Sequence, residues 1–311
     1  MKKIIIFAST FLLICFSCKE SEEALYKHKS LFKVGAMPTK FGHPESVFYD
    51  GNNFYVSDIG INFTPNIKDG DGKIVKLNKK GEVINANISN AVLHAPKGFV
   101  IIDDKIFIND IDAIKIINLK TGSLVGKIDF SDTGIDLTAS GGTGLNDMCI
   151  GLNNQTLYVS ITNDGSIYQV NLNTNTKIKI ATSPGANGLF LDKDTSTLYI
   201  NGYTNQKSIA KVDLSNMKYQ LINAPAAKGG YDGLILQKNI LYLTDWGANA
   251  NGTNEEGTLS KMNIDGSLVA EISLKKLQKI KLNGPADISM FENYLFIPAM
   301  GEGKVYILPI N

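Results

Sequence analysis

Several residue types that build common catalytic and metal sites are scarce in this chain. Its 311 residues include three cysteines, three histidines and one tryptophan. The histidines show no metal-ligand spacing to one another, which argues against a zinc site. The sequence has no Gly-x-Ser-x-Gly elbow, no Walker loop and no dinucleotide fingerprint. The formal net charge is only +1, so we expect no nucleic-acid partner, because no basic stripe is available to neutralise phosphates.

Long apolar runs are also missing, apart from one near the start of the chain. Residues 4–16 are largely apolar and follow Lys2 and Lys3, but the run is too short to span a membrane. It ends at Cys15-Phe16-Ser17-Cys18. This segment resembles a bacterial lipoprotein signal that is cleaved before Cys18, although Cys15 stands where such signals usually have Leu. A plain secretory signal is the alternative.

The resemblance to a lipoprotein signal has consequences for domain organisation and location. It implies a signal peptide at residues 1–17, a lipidated Cys18 with a tether at residues 18–27, and a folded domain at residues 28–311. The protein would be anchored by lipid in the cell envelope of a bacterium, in the outer membrane. The charged residues after Cys18 resemble the surface-export tags of Bacteroidota lipoproteins, although acidic tethers are also ordinary soluble linkers. Cys149 would remain as a lone thiol, which we expect to be buried.

The remainder of the chain repeats one pattern six times. Each repeat contains an anchor residue, a turn, a strand of the Leu-Tyr-Val type, a further strand and a second turn. The anchors recur every 41 to 54 residues. This period, with about four short strands in each repeat, predicts an all-β, six-bladed β-propeller. The six anchors are Glu45, Lys97, Asn146, Asn187, Asp232 and Ala286.

The ends of the chain and three long connections complete the predicted architecture. The sixth repeat ends after three strands, and residues 30–35 are predicted to supply its outer strand, which closes the ring. Residues 59–72, 131–144 and 246–257 form connections that are longer than a turn requires. All three are predicted on the rim where the anchors lie. They would frame a binding site there, unless they are ordinary loop variation.

Four of the anchors carry side-chain oxygens suited to a hard cation. Equivalent positions of propeller blades converge on one mouth of the central channel, which brings together Glu45, Asn146, Asn187 and Asp232. Calcium takes six to eight oxygen ligands from carboxylates, amides and water, so these residues predict one calcium site. Structural interpretations remain open at this stage: Glu45 could be a solvated acid, and Asn187 and Asp232, each followed by glycine, could be turn residues.

These motifs resemble the senescence-marker protein/gluconolactonase group of six-bladed propellers, and more distantly paraoxonase and diisopropyl fluorophosphatase. The resemblance covers the whole folded domain, although each matching segment is short. It implies that the four oxygen-bearing anchors bind a catalytic calcium ion, and that Asp232 also serves as base or nucleophile. The matching segments are Pro44-Glu45, Leu145-Asn146-Asp147, Ala186-Asn187-Gly188-Leu189 and Tyr231-Asp232-Gly233-Leu234.

One anchor departs from the family pattern. Lys97 stands where paraoxonase-like chains carry a histidine used in lactone hydrolysis. Its charge would repel a metal ion unless it points away, pairs with a carboxylate or is partly neutral. We treat Lys97 as a candidate catalytic residue, with an ordinary channel residue as the alternative. Trp246, beside a long loop, and Asp58, at the end of a second strand, are predicted to bind substrate.

Two classes of function follow from these observations. The first is a calcium-dependent hydrolase of lactones or related esters, with a small molecule as its partner and the monomer as its expected state. The second is a non-catalytic binding propeller of the NHL type that holds a glycan, peptide or protein at the cell surface. A propeller fold is compatible with both classes.

Overall fold

A computed structural model describes residues 31–204, 206–247, 257–272 and 282–310. The chain divides into two compact units, Met1–Lys33 and Val34–Asn311. Within the described part of the second unit, 24 strands form six antiparallel sheets of four strands each. The predicted all-β, six-bladed propeller is therefore confirmed.

Each blade runs from an inner strand at the channel to an outer strand at the periphery of the propeller. The strands of the first three blades, in that order, are β2 (Pro44–Tyr49), β3 (Phe54–Asp58), β4 (Lys73–Leu77) and β5 (Val83–Asn85); β6 (Pro96–Ile102), β7 (Lys105–Asp110), β8 (Ala113–Asn118) and β9 (Leu124–Asp129); and β10 (Leu145–Ile150), β11 (Thr156–Ile161), β12 (Ser166–Asn171) and β13 (Lys177–Thr182). Those of the last three blades are β14 (Ala186–Asp192), β15 (Thr197–Gly202), β16 (Ala210–Asp213) and β17 (Lys218–Leu221); β18 (Tyr231–Gln237), β19 (Ile240–Asp245), β20 (Thr258–Asn263) and β21 (Leu268–Ile272); and β22 (Ser289–Phe291), β23 (Tyr294–Ala299), β24 (Lys304–Pro309) and β1 (Gly35–Ala36).

The inner strands form a closed ring, and the core lies between neighbouring blades. Each inner strand contacts the inner strands of the two adjacent blades, including β22 against β2. Apolar side chains of one sheet pack on the next: Phe107 and Ile114 of the second blade share a cluster with Leu157 and Val159 of the third. The second strand of a blade is buried on both faces, which explains its almost continuous Leu-Tyr-Val composition.

The ring closes through the two ends of the folded unit. Gly35 pairs with Ile307 and Ala36 with Tyr306, so an N-terminal strand completes the sixth blade, as predicted. This strand has only two residues and lies further along the chain than the predicted strand at residues 30–35. Residue 30 lies outside the described part of the chain. The Met37 N–H still donates to the Val305 carbonyl at 2.8 Å, and Pro38, which has no N–H to donate, ends the regular pairing.

Candidate functional site

A cavity of about 220 Å³ lies at the mouth of the channel where the inner strands begin. Side chains from three predicted long connections form its walls, including Phe63, Thr143 and Trp246. The structure thus brings the four oxygen-bearing anchors and Lys97 together. The five anchors that line the cavity are Glu45, Lys97, Asn146, Asn187 and Asp232.

Bulges at the start of the inner strands direct the anchors toward the channel. In β10, pairing with β11 shifts between Leu145 and Met148, so Asn146 and Asp147 together oppose Ser160. The same kind of irregularity occurs in β2, β6, β14 and β18. A bulge bends its strand and re-aims a side chain, which is why bulges are frequent beside active sites.

A polar side chain on the second strand bonds the bulge of its own blade, the inner strand of the next blade, or both. The Gly188 N–H donates to Asn201 Oδ1 at 2.8 Å, and Asn201 Nδ2 donates to the carbonyl of Gly233 in the next blade at 3.0 Å. Thr244 likewise accepts from the Gly233 N–H and donates to the Ala286 carbonyl, both at 2.7 Å. These bonds set the spacing between anchors of adjacent blades. The polar residues at these positions, which sequence reasoning missed, are Ser57, Asn109, Ser160, Asn201 and Thr244.

The glycines after Asn187 and Asp232 are required by the close approach of neighbouring strands. A Cβ on Gly188 would lie 2.3 Å from the Asp232 carbonyl oxygen, and one on Gly233 would lie 2.4 Å from a backbone nitrogen of the sixth blade. Both glycines lie within strands, β14 and β18. The interpretation of Asn187 and Asp232 as turn residues is therefore wrong.

Four buried oxygens at the cavity have no hydrogen-bond partner among the described residues. The atoms are Glu45 Oε2, Asn146 Oδ1, Asn187 Oδ1 and Asp232 Oδ1, and their residues are at most 5% exposed. The Asn146 amide is oriented by Nδ2, which donates to Thr143 Oγ1 at 3.1 Å. Buried acceptors are normally satisfied, and a hard cation would satisfy all four. The donor set therefore fits calcium, and Glu45 is buried rather than solvated.

The sixth blade contributes a carboxylate that the sequence pattern did not select. The anchor Ala286 is fully buried in an apolar cluster, and the next residue, Asp287, lies beside the site. One carboxylate oxygen from each of Glu45, Asp232 and Asp287 lies within 4.8 Å of the other two. The repeat pattern does not select Asp287, because the equivalent position of this repeat is Ala286, one residue earlier.

Burial and mutual repulsion favour the neutral forms of these acids. Burial, followed by the negative charge of Asp232, raises the pKa of Glu45 well above its usual range. Burial also raises the pKa of Asp232 to about 7, although the hydrogen bond from Trp246 lowers it. The pKa of Asp147 is about 7 for the same main reason. A bound cation would favour the ionised forms.

Lys97 is a buried cation in the same ring. Its side chain is 1% exposed, and its ammonium donates to the Ala95 carbonyl at 3.1 Å. Burial lowers the pKa of Lys97 to about 8, although the charges of Glu45 and Asp110 raise it. Its positive charge partly offsets the negative charges of the carboxylates. A buried lysine is therefore compatible with this acidic site.

Trp246 contacts the predicted reactive carboxylate directly. Its indole N–H donates to Asp232 Oδ2 at 2.7 Å, so Oδ1 remains for the site. The ring also packs edge-on against Tyr203, with centroids 5.4 Å apart, and at 6.1 Å from Phe63. Trp246 therefore forms a wall of the cavity and also positions Asp232.

Asp58, predicted to bind substrate, is not among the described residues that line the cavity. It is fully buried, and its carboxylate accepts the backbone N–H groups of Gly42 at 3.0 Å and His43 at 2.7 Å. Asp110 and Asp245 bind the segments that enter their own inner strands in the same way. These acids hold the chain at the blade entrance.

Other predicted features lie partly or wholly outside the described residues. Cys18, the signal peptide and the tether belong to residues 1–30, and residues 248–256 belong to the third long connection. Cys149 is half-buried on β10 and burial raises the pKa of its thiol. No helix among the described residues is long and apolar enough to cross a membrane.

Comparisons with known proteins match this chain by structure and not by sequence. No protein family and no curated protein matches it. Its fold is similar to that of regucalcin. That calcium-binding protein from Agrobacterium tumefaciens aligns with a TM-score of 0.65 at 16% identity, covering 90% of this chain and 94% of its own.

Two further structures extend the comparison. A Bacteroides fragilis protein assigned provisionally as a 6-phosphogluconolactonase aligns with a TM-score of 0.58 at 13% identity, over 85% of this chain and 78% of that one. Hydrazine synthase from Kuenenia stuttgartiensis aligns with a TM-score of 0.60 at 14% identity, over 88% and 78%. These structural neighbours have very different names. The similarity to them is therefore one of fold alone.

Proposed function

We propose that this protein is a calcium-dependent hydrolase of lactones or related esters. The observation that carries the proposal is the set of four unpartnered, buried oxygens on four blades. Glu45, Asn146, Asn187 and Asp232 would hold the ion, and the cavity above them would hold the substrate. The calcium-binding regucalcin and the provisional lactonase among the structural neighbours support this assignment at the level of fold.

The calcium ion and the protein side chains would make different contributions to hydrolysis. Calcium, when bound, supplies a positive charge that polarises a carbonyl oxygen and lowers the pKa of water beside it. Asp232 supplies a carboxylate that borders both the cavity and the cation site. It accepts the proton of the attacking water or attacks the carbonyl carbon itself. Trp246 holds its Oδ2 in position through the 2.7 Å hydrogen bond.

The walls of the cavity favour a substrate with an apolar substituent. Ile59, Phe63, Trp246 and Met300 border the space above the anchors. An apolar wall binds aliphatic or aromatic groups through the area that they remove from water. We therefore expect lactones with alkyl or aryl substituents to be hydrolysed faster than sugar lactones of the same ring size.

Turnover of a lactone panel, with and without a calcium chelator, tests the proposal. We expect hydrolysis that chelator removes and calcium restores. Asp232→Asn should lose most turnover, because an amide neither accepts the proton nor attacks carbon, yet an amide oxygen still ligates calcium. Asp213→Asn, at the end of β16 and not among the residues that line the cavity, is the control. Wild-type turnover by Asp232→Asn would refute the assigned role.

The binding propeller remains the second candidate, and Lys97 is the observation that favours it. Its ammonium makes one hydrogen bond in the described structure, to Ala95. An anionic ligand could therefore bind Lys97 at the cavity without being turned over. Absence of turnover throughout the panel, together with retention of a glycan, peptide or protein, would support this function.

We also propose that the protein is attached to the cell envelope through lipid on Cys18. The support is the Ser17-Cys18 pair after a short apolar run. Dual or triple acylation anchors a protein stably, so the wild type should fractionate with membranes. Cys18→Ser should be released or remain unprocessed. An unchanged membrane fraction for this variant would contradict the proposal.

A further inference from the structure

Asp287 is a buried carboxylate of the site whose oxygens lack hydrogen-bond partners. It lies just before β22 and is 5% exposed. Both of its carboxylate oxygens lack a hydrogen-bond partner among the described residues. Burying an ionised carboxylate without a partner is strongly unfavourable, so the position requires an explanation.

The surroundings of Asp287 make the burial more costly. Burial is the main cause of its raised pKa, and the negative charges of Asp147, Glu45 and Asp232 raise it further. The side chain of Ser46 lowers it only in part. Asp287 therefore lies among the other acids of the site.

We propose that Asp287 is a third carboxylate ligand of the calcium ion, supplied by the sixth blade. This inference rests on the proposed calcium site. Calcium–oxygen distances of 2.3–2.6 Å allow two ligands of one ion to lie up to about 5 Å apart. Oxygens of Glu45, Asp232 and Asp287 lie within 4.8 Å of one another, so all three can share one ion.

The backbone places Asp287 rigidly at this point. Its N–H donates to the Glu45 carbonyl at 3.1 Å, which joins the sixth blade to the first. The preceding carbonyl, that of Ala286, accepts from Thr244 of the fifth blade. Asp287 is not one of the described residues that line the cavity. Ligation by Asp287 therefore adds charge to the site and leaves the positions that face the cavity to water or substrate.

The neighbouring acid Asp147 does not offer the same chemistry. Its Oδ1 accepts the Met148 N–H and its Oδ2 accepts the Leu189 N–H, both at 2.7 Å. Asp147 is thus satisfied by the backbone, whereas Asp287 is not. This contrast assigns the third ligand to the sixth blade.

Calcium titration and thermal unfolding of Asp287→Asn test the inference. Calcium affinity depends on the number of charged ligands, so we expect the dissociation constant for calcium to rise at least about tenfold. The metal-free variant should unfold at a higher temperature than the metal-free wild type, because a buried repulsion has been removed. A residue with only a structural role would give the opposite shift. Asp58→Asn, equally buried but bound by backbone N–H groups, should unfold earlier and keep the wild-type dissociation constant.

Terbium luminescence supplies a second measurement. Lifetimes in H₂O and D₂O count the waters bound to the ion, and Asp287→Ala should gain about one, since a carboxylate ligand is replaced by water. Unchanged calcium affinity and an unchanged water count in both variants, with a wild type that binds calcium, would overturn the role of Asp287 alone. A wild type that binds no calcium would overturn the proposed function with it.

Discussion

Replacing Asn201 by alanine tests whether the bulges hold the site together. Asn201 is fully buried, and it bridges Gly188 at 2.8 Å to Gly233 at 3.0 Å. Alanine leaves one N–H and one carbonyl buried without partners, and each costs about 1–3 kcal/mol. We therefore expect Asn201→Ala to lose about 2–6 kcal/mol of unfolding free energy. For a domain of this size, each kcal/mol corresponds to about 2–4 °C in melting temperature.

A functional effect should accompany the loss of stability. Gly188 follows Asn187 and Gly233 follows Asp232, so both cation ligands lose their support and calcium affinity should fall. Asn216→Ala is the matched control, because this exposed asparagine also makes two hydrogen bonds, to Asp213 and Lys218. Water replaces exposed bonds, so the control should change stability by less than about 0.5 kcal/mol. Equal melting temperatures for Asn201→Ala and the control, measured by calorimetry, would refute the reasoning.

Three further predictions concern the charges of the site. Lys97→Met should bind calcium more tightly in a calorimetric titration, since a buried positive charge beside Glu45 is removed; weaker binding would make Lys97 a supporting residue of the site. Trp246→Phe removes the donor that lowers the pKa of Asp232, so calcium binding should require a higher pH, whereas Phe63→Leu should leave that pH dependence unchanged. Without calcium, the raised pKa values of Glu45 and Asp232 mean that the folded state holds more protons than the unfolded state. Stability should then fall from about pH 4 to pH 7, and a melting temperature that rises over this range would contradict the account.

Repetition explains why the fold could be predicted from the sequence. Each blade has its own anchor, turn and Leu-Tyr-Val strand, so six weak local signals support one another. The sequence predicts the closing strand too early in the chain, because this strand belongs to no complete repeat. Only two residues, Gly35 and Ala36, pair with β24, and no periodicity marks so short a strand.

The site was predictable where it follows the repeat and not where it departs from it. Glu45 and Asp232 occupy equivalent positions, and the structure brings them together. Asp287 lies one residue beyond its anchor, so only the folded backbone reveals it. Asp58 follows the repeat as well, but its side chain binds backbone N–H groups instead of facing the cavity. Periodicity predicts which residues are equivalent, whereas hydrogen bonding decides their roles.

Isothermal titration of the metal-free protein with calcium tests the central claim most directly. We expect one ion to bind per chain, because the unpartnered oxygens of Glu45, Asn146, Asn187 and Asp232 belong to residues that line one cavity. Glu45→Gln, which retains a ligating oxygen but removes a charge, should bind more weakly. The absence of saturable binding to the wild type, or an unchanged affinity in Glu45→Gln, would contradict a calcium site at the mouth of this propeller.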